Sequence, residues 1–180
     1  MKIAYLHGLE SSIDQKDPKI IFLNDKFDKV YTPQINYRDD NTFDKLIKDI
    51  KSLNPDLIVG SSMGGYVSYL IGSKLSIPTL LFNPGVVGRS FEPVVDDSNL
   101  KGSNHTVHLG KNDNVINGKN VKTFFTHEGI GKFSYHQYDG GHRVPAGVFI
   151  NAIKNVLKMD EATKLQHFKI FEEFINDALN

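Results

Sequence analysis

Apolar residues in this chain gather into short unbroken runs, and between the runs they recur every three or four positions. That alternation predicts strands joined by crossover helices in a mostly parallel sheet. The strand candidates are Lys2 to Leu6, Phe27 to Ile35, Asp56 to Val59, Ile77 to Asn83, Thr106 to Gly110 and Phe133 to Tyr138. Pro33 lacks a backbone donor and marks the second of these as an edge or an exit. The helix candidates are Lys19 to Phe27, with Pro18 tolerated at its first turn, Thr42 to Leu53, Met63 to Leu75 and Val144 to Met159. Phe43, Leu46, Ile47 and Ile50 give the second helix a packing stripe behind an Asn41 or Thr42 cap, leaving Lys45, Lys48, Asp49 and Lys51 as a solvated face. Met63 to Leu75 carries few charges and should be largely buried. A last helix is predicted over 160–179, with Leu165, Phe168, Phe171, Ile175 and Leu179 on one stripe. The stretch 85–104 shows no clean period, and it reads as an irregular insertion able to form a small cap. The pattern therefore predicts an α/β protein, a three-layer α/β/α sandwich in a single domain over 1–180.

Composition narrows the partners. The chain has 180 residues, enough for one domain with a sizeable core. Twenty-one basic against 21 acidic side chains give no net charge, so nucleic acid is not an expected partner. No apolar run approaches a membrane span, and no leader-like segment precedes the first strand, so a cytoplasmic protein without a membrane partner is expected. The absence of cysteine excludes a thiolate nucleophile and disulfides, and the seven histidines have no metal-ligand spacing. Neither a metal nor another cofactor is implied. The stripe over 160–179 packs on its own domain or serves as a homodimer seam.

Candidate chemistry centres on Gly60-Ser61-Ser62-Met63-Gly64-Gly65, a G-x-S-x-G motif between a strand and a helix. A serine hydroxyl becomes a useful nucleophile when a sharp turn presents it to an imidazole beside backbone N–H donors. A phosphate loop would need Lys after the glycines, and none follows. Asp113 lies three residues after Gly110 at a strand end, and His142 follows Gly140-Gly141 at another. Open α/β sheets gather functional groups at those ends, and the chain order is Ser, Asp, His. Asp139 is the rival acid, with Asp96 and Asp97 behind it. His105, His108, His127, His136 and His167 read as packing or surface residues. The His7-Gly8-Leu9-Glu10-Ser11-Ser12 loop reads equally well as an oxyanion loop or as a turn with a serine cap.

Together, the His7-Gly8 loop, the Gly60 to Gly64 turn, Gly110-x-x-Asp113 and Gly140-Gly141-His142 make residues 1 to about 158 resemble the α/β-hydrolases, and most of all the short, esterase-like bacterial branch without a large lid. The resemblance implies Ser62 as nucleophile, His142 as base and Asp113 as its orienting acid, with the Leu9 and Met63 N–H groups as oxyanion donors. His7, Gly8, Asn83, Val86, Val87 and Phe91 are the pocket candidates. The implied activity is cleavage of small carboxylic esters or thioesters with short acyl chains, amide cleavage being the runner-up chemistry. The competing function is an idle scaffold that binds a small acyl ligand or a protein.

Overall fold

Leu57-Ile58-Val59 is apolar at consecutive positions because both faces of its strand are covered, and the same holds for Leu80-Leu81-Phe82. These runs sit in the middle of a six-stranded sheet. The computed structural model describes residues 1–158. Its elements run β1 (Lys2–Leu6), α1 (Pro18–Lys26), β2 (Lys29–Tyr31), α2 (Thr42–Leu53), β3 (Leu57–Ser61), α3 (Met63–Leu75), β4 (Thr79–Phe82), β5 (Ser103–Gly110), α4 (Gly118–His127) and β6 (Gly131–Tyr138). A fifth helix, α5, occupies 146–158. The helix predicted over 160–179, and the dimer seam suggested for it, lie outside the described residues.

The strand order is β2-β1-β3-β4-β5-β6 and every pairing is parallel. The expected three-layer α/β/α sandwich is present. Right-handed crossovers dictate which face each helix takes. From β1 the chain steps outward to β2, then returns across β1 to β3 and continues in the opposite direction. Helix α1 therefore packs on one face with α5, through Ile20, Leu23, Phe149 and Ile153 against Ile3, Tyr5, Val59 and Phe82. Helices α2, α3 and α4 take the other, through Leu46, Ile50, Val67, Leu70, Val121 and Phe125 against Ala4, Ile58, Leu81 and Val107. The connections after β1 and β3 thus lead to helices on opposite faces at this reversal, the place where open α/β sheets gather their ligands.

Several local expectations change. The second strand keeps only Lys29–Tyr31, because Phe27 closes α1, with its N–H on the Leu23 carbonyl, and the chain leaves the sheet before Pro33. Neither predicted cap of α2 works as one: Asn41 makes no side-chain capping bond, and the Thr42 hydroxyl donates to the Asn36 carbonyl. Asp49 is not merely solvated, since it accepts a 2.7 Å hydrogen bond from Tyr31 and ties α2 to the edge strand. Helix α4 fills the interval between Asp113 and the last strand, and its first turn is capped by the Asn117 side chain, which accepts from the Lys119 and Asn120 N–H groups. The irregular segment after β4 is anchored along α3, where Lys74 pairs with Asp96 at 2.7 Å and Ser73 accepts from Lys101 and Gly102. Beyond Arg89, Pro93, Val94 and Val95 lie against Tyr37, Phe43 and Val67.

Two histidines are part of the packing. His105 is buried, its Nδ1 2.8 Å from the Thr79 hydroxyl and its Nε2 3.2 Å from the Ile130 carbonyl. Burial pushes its pKa down to about 4. His108 stacks on His136 at 4.8 Å, and burial together with that neighbour also pushes it down to about 4. Both rings are neutral in the folded protein over a range in which the unfolded chain binds protons, so their contribution to stability is present above the unfolded histidine pKa of about 6.5 and is lost as pH falls through about 4. Urea midpoints should fall progressively across that window, and His108→Phe, which keeps the stack and removes one titrating group, should make the slope shallower.

Candidate active site

At the end of β3 the backbone must turn straight into α3, and Ser62 does so at φ 54 and ψ −119. This positive φ costs a non-glycine residue on the order of 1–3 kcal/mol, which surrounding contacts must hold in place. They are all backbone bonds. The Ser62 N–H donates to the Phe82 carbonyl at 2.9 Å, and the Ser62 carbonyl accepts from Gly85 at 2.9 Å and Tyr66 at 3.1 Å. A Cβ on Gly60 would lie 2.3 Å from the Gly64 carbonyl oxygen, and one on Gly64 would lie 2.1 Å from the Leu6 carbonyl oxygen. Strand β1, the turn and the first turn of α3 therefore meet with no room for a side chain.

Around Ser62 the predicted residues fall as follows. His142 Nε2 is 3.0 Å from the Ser62 Oγ, and His142 Nδ1 is 2.9 Å from Asp113 Oδ2. The Asp113 side chain is buried, and its Oδ1 accepts the Val115 and Ile116 N–H groups, each at 2.8 Å. With both carboxylate oxygens oriented, Nδ1 is the protonated nitrogen and Nε2 is left to accept from the serine. Asp139 stands apart, 85% exposed and paired with Lys111 at 2.8 Å. Asp96 is held by Lys74 and Ser98, which keep its carboxyl below the usual range.

The His7–Glu10 loop runs beside the serine, a Cβ on Gly8 falling 3.3 Å from the Ser62 Cβ. Among the described residues, the backbone bonds made by turns, loops and caps include none donated by the Leu9 or Met63 N–H. The pocket candidates divide by depth. His7, Asn83 and Val86 are buried side chains. Nε2 of His7 accepts from the Ile35 N–H at 2.9 Å, which requires Nδ1 to carry the proton it gives the Gly8 carbonyl at 2.8 Å. Burial lowers the pKa of this ring, so it stays in that neutral form. Tyr37 donates to the His7 carbonyl at 2.6 Å. Gly8, Val87 and Phe91 are half-buried at the rim. Arg38 bridges it, its guanidinium 4.9 Å over the Phe91 ring and 2.8 Å from Glu10. Arg89 lies 4.1 Å over Tyr66 and donates to the carbonyls of Gly85 and Val86.

The sequence reading missed Tyr37, Arg38, Arg89 and Tyr138. Tyr138, as the last residue of a strand before the histidine loop, had a readable position. The other three act through irregular loops and carried no periodic signal. A cavity of about 700 Å³ lies at the opposite, amino end of the sheet, between Asn54, Ile77, Thr106 and Leu157, and touches none of these groups. Among the described residues no cluster of His, Asp or Glu has a metal-binding arrangement, and no helix is long and apolar enough to cross a membrane.

A model of the uncharacterised protein family UPF0227 matches residues 2–176. Comparison with curated proteins finds no match. Among solved structures the chain is similar to a Xanthomonas campestris protein described as a candidate hydrolase of the alpha/beta superfamily, at TM-score 0.62 and 16% identity over 88% of this chain and 98% of that one. An S-formylglutathione hydrolase from Agrobacterium tumefaciens matches at TM-score 0.62 and 13% identity, over 88% and 82% of the two chains. Est1E from Butyrivibrio proteoclasticus matches at 0.59 and 14%, over 89% and 88%. At such identities the likeness establishes a shared fold.

The close approach at the turn is directly testable. Gly64→Ala would drive a methyl into the Leu6 carbonyl, a backbone atom that cannot swing aside, and should destabilise the protein by about 3 kcal/mol or more in urea unfolding. Gly147→Ala, where a Cβ meets nothing within 4 Å, should be neutral or stabilising in the same measurement.

Proposed function

The chain belongs to the uncharacterised protein family UPF0227 and has the α/β-hydrolase fold, and on that premise we propose that it is a serine hydrolase cleaving small carboxylic esters or thioesters. The observation that carries the proposal is the continuous hydrogen-bonded chain from Asp113 Oδ2 through His142 to the Ser62 Oγ.

In this mechanism the Ser62 hydroxyl attacks the acyl carbon as His142 Nε2 takes its proton. Charge develops on the former carbonyl oxygen, and the Leu9 and Met63 N–H groups receive it. One such donor is worth about 3 kcal/mol in the transition state, because it is already oriented and needs no reorganisation. His142 then hands the proton to the departing alcohol or thiol, leaving an acyl-serine. Water, deprotonated by the same nitrogen, attacks the ester, and collapse of the second tetrahedral intermediate restores Ser62. Asp113 keeps the imidazole in the required tautomer throughout and stabilises its cationic form. No step calls for a metal or cofactor, and the proposed setting is cytoplasmic with a small-molecule substrate, since no apolar run in the sequence approaches a membrane span.

A fluorophosphonate probe should label Ser62 alone, and Ser62→Ala should abolish both labelling and p-nitrophenyl ester hydrolysis. Asp113→Asn should lower kcat by up to about ten-thousandfold while Asp139→Asn leaves it near the parent value. Label on Ser61, or the reverse ranking of the two acids, would overturn the assignment. A protein that neither labels nor hydrolyses would instead be the binding scaffold.

The expected substrate range follows from how little of the described chain is free to cover Ser62. The segment after β4 is committed to α2 and α3 beyond Arg89, which supports a shallow acyl cleft. Each methylene it buries contributes about 0.8 kcal/mol, and those reaching solvent contribute nothing. We expect kcat/KM on soluble p-nitrophenyl esters to peak at short acyl chains, without a jump at the monomer-to-emulsion transition. A steady rise with chain length would show a deep acyl site.

A further inference from the structure

Asn83 follows the last residue of β4, and its backbone φ of 44 lies in the left-handed region that asparagine tolerates better than most residues. Its side chain is buried where no solvent can complete its hydrogen bonds. Every polar atom of the amide is nevertheless used. Oδ1 accepts the Gly110 N–H at 2.8 Å, at the start of the turn that carries Asp113. Nδ2 donates to the Tyr138 hydroxyl at 2.7 Å and faces the carbonyls of His142 at 3.1 Å and Gly141 at 3.3 Å. The Tyr138 hydroxyl passes its own proton on to the Gly141 carbonyl at 2.9 Å. Exchanging the amide's oxygen and nitrogen would set oxygen against two carbonyls and N–H against N–H, so this orientation is forced.

We propose that Asn83, together with Tyr138, is a positioning residue that fixes the His142 loop against the Asp113 loop; the proposal rests on the serine hydrolase reading of Ser62, His142 and Asp113. Three features of the site support it. The same strand end also holds the nucleophile, since the Phe82 carbonyl accepts the Ser62 N–H and the Asn83 N–H binds the His108 carbonyl. One short segment of β4 is thus the common reference for serine, histidine and acid. Gly110 has no side chain where a Cβ would come within 2.7 Å of the Gly140 and Gly141 carbonyl oxygens, so the two loops can close on the amide. Finally, the donors needed here are specific. A carboxylate at this position would repel the His142 and Gly141 carbonyls, and an alkyl group would leave them and the Gly110 N–H without partners. Apolar packing could keep the loops folded, but it sets no direction for the His142 carbonyl and hence for the imidazole one residue's geometry away.

Asn83→Asp and Tyr138→Phe test this. The first is isosteric and keeps the bond from Gly110 while removing both donors, and the second removes one hydroxyl. Each should lower kcat on p-nitrophenyl butyrate roughly ten- to hundredfold with KM little changed, and slow fluorophosphonate labelling by the same factor, because displacing a reacting group by a fraction of an ångström acts on the chemical step. A second readout needs no turnover. The imidazole N–H that His142 shares with Asp113 should give a far-downfield proton resonance in the parent, identified by its loss in His142→Ala, and it should exchange with water faster in both variants. If both variants fold, hydrolyse and exchange that proton as the parent does, or lose thermal stability alone, the positioning role is wrong. Should Asn83→Asp fail to fold, Tyr138→Phe decides. Were the parent inert to esters and probe, the hydrolase reading would fall, and the exchange rates would still judge the loop geometry.

Discussion

Everything at the carboxyl edge of the sheet depends on how closely the turn at Ser62 approaches β1 and β4. The serine is held at a positive φ by three backbone hydrogen bonds, two of them to the strand and loop that follow it in the sheet. Gly60 and Gly64 permit the approach, since a side chain on either would strike main-chain atoms 2.3 Å or less away. Strain of this size persists only where the surroundings leave no alternative, and here the alternative would break the parallel register of β3 with β1 and β4.

From that fixed point the site is assembled outward by buried polar side chains. His7 uses one ring nitrogen on the Gly8 carbonyl and the other on Ile35, so the loop with the Leu9 N–H is tied to the chain after β2. Asn83 and Tyr138 hold the histidine loop, and the two N–H bonds to Asp113 hold the acid. Each loop ends in a group whose direction matters to chemistry, and hydrogen bonds fix direction where apolar contacts fix only distance. Because those bonds are buried, an amide or imidazole left without its partner would cost far more than the bond contributes, so the loops have few other arrangements.

The charged residues divide by depth. Lys111 with Asp139 and Arg38 with Glu10 are exposed pairs, which in general contribute little to stability. Arg38 also spans the rim from the His7–Glu10 loop to Phe91, which places a cation beside the mouth of the site. Arg89 is more enclosed, clasping two carbonyls of the turn after β4 and lying on Tyr66. These contacts lie at the rim and make no bond to Ser62, Asp113 or His142.

The alternation of apolar runs and helical stripes settled the layers, because a strand buried on both faces must be continuously apolar and a helix on a sheet must carry one stripe. Burial patterns of that kind are written locally, so β1, α2, α3 and β4 were legible within a residue or two. The triad candidates were legible too: Ser62 from the spacing of its glycines, Asp113 and His142 from their places at strand ends. What the sequence left open was decided by contacts between segments far apart in the chain. Asp139 and Asp113 both sit in turns beside carboxyl strand ends, and only the folded geometry puts one against His142 and sends the other into solvent beside Lys111. His7 and Asn83 stand among the pocket candidates in the sequence. Tertiary structure buries both and spends their hydrogen bonds on neighbouring loops, since a buried polar group must find its partner wherever the fold brings one; the partners include Ile35, 28 residues from His7, and Gly110, 27 residues from Asn83.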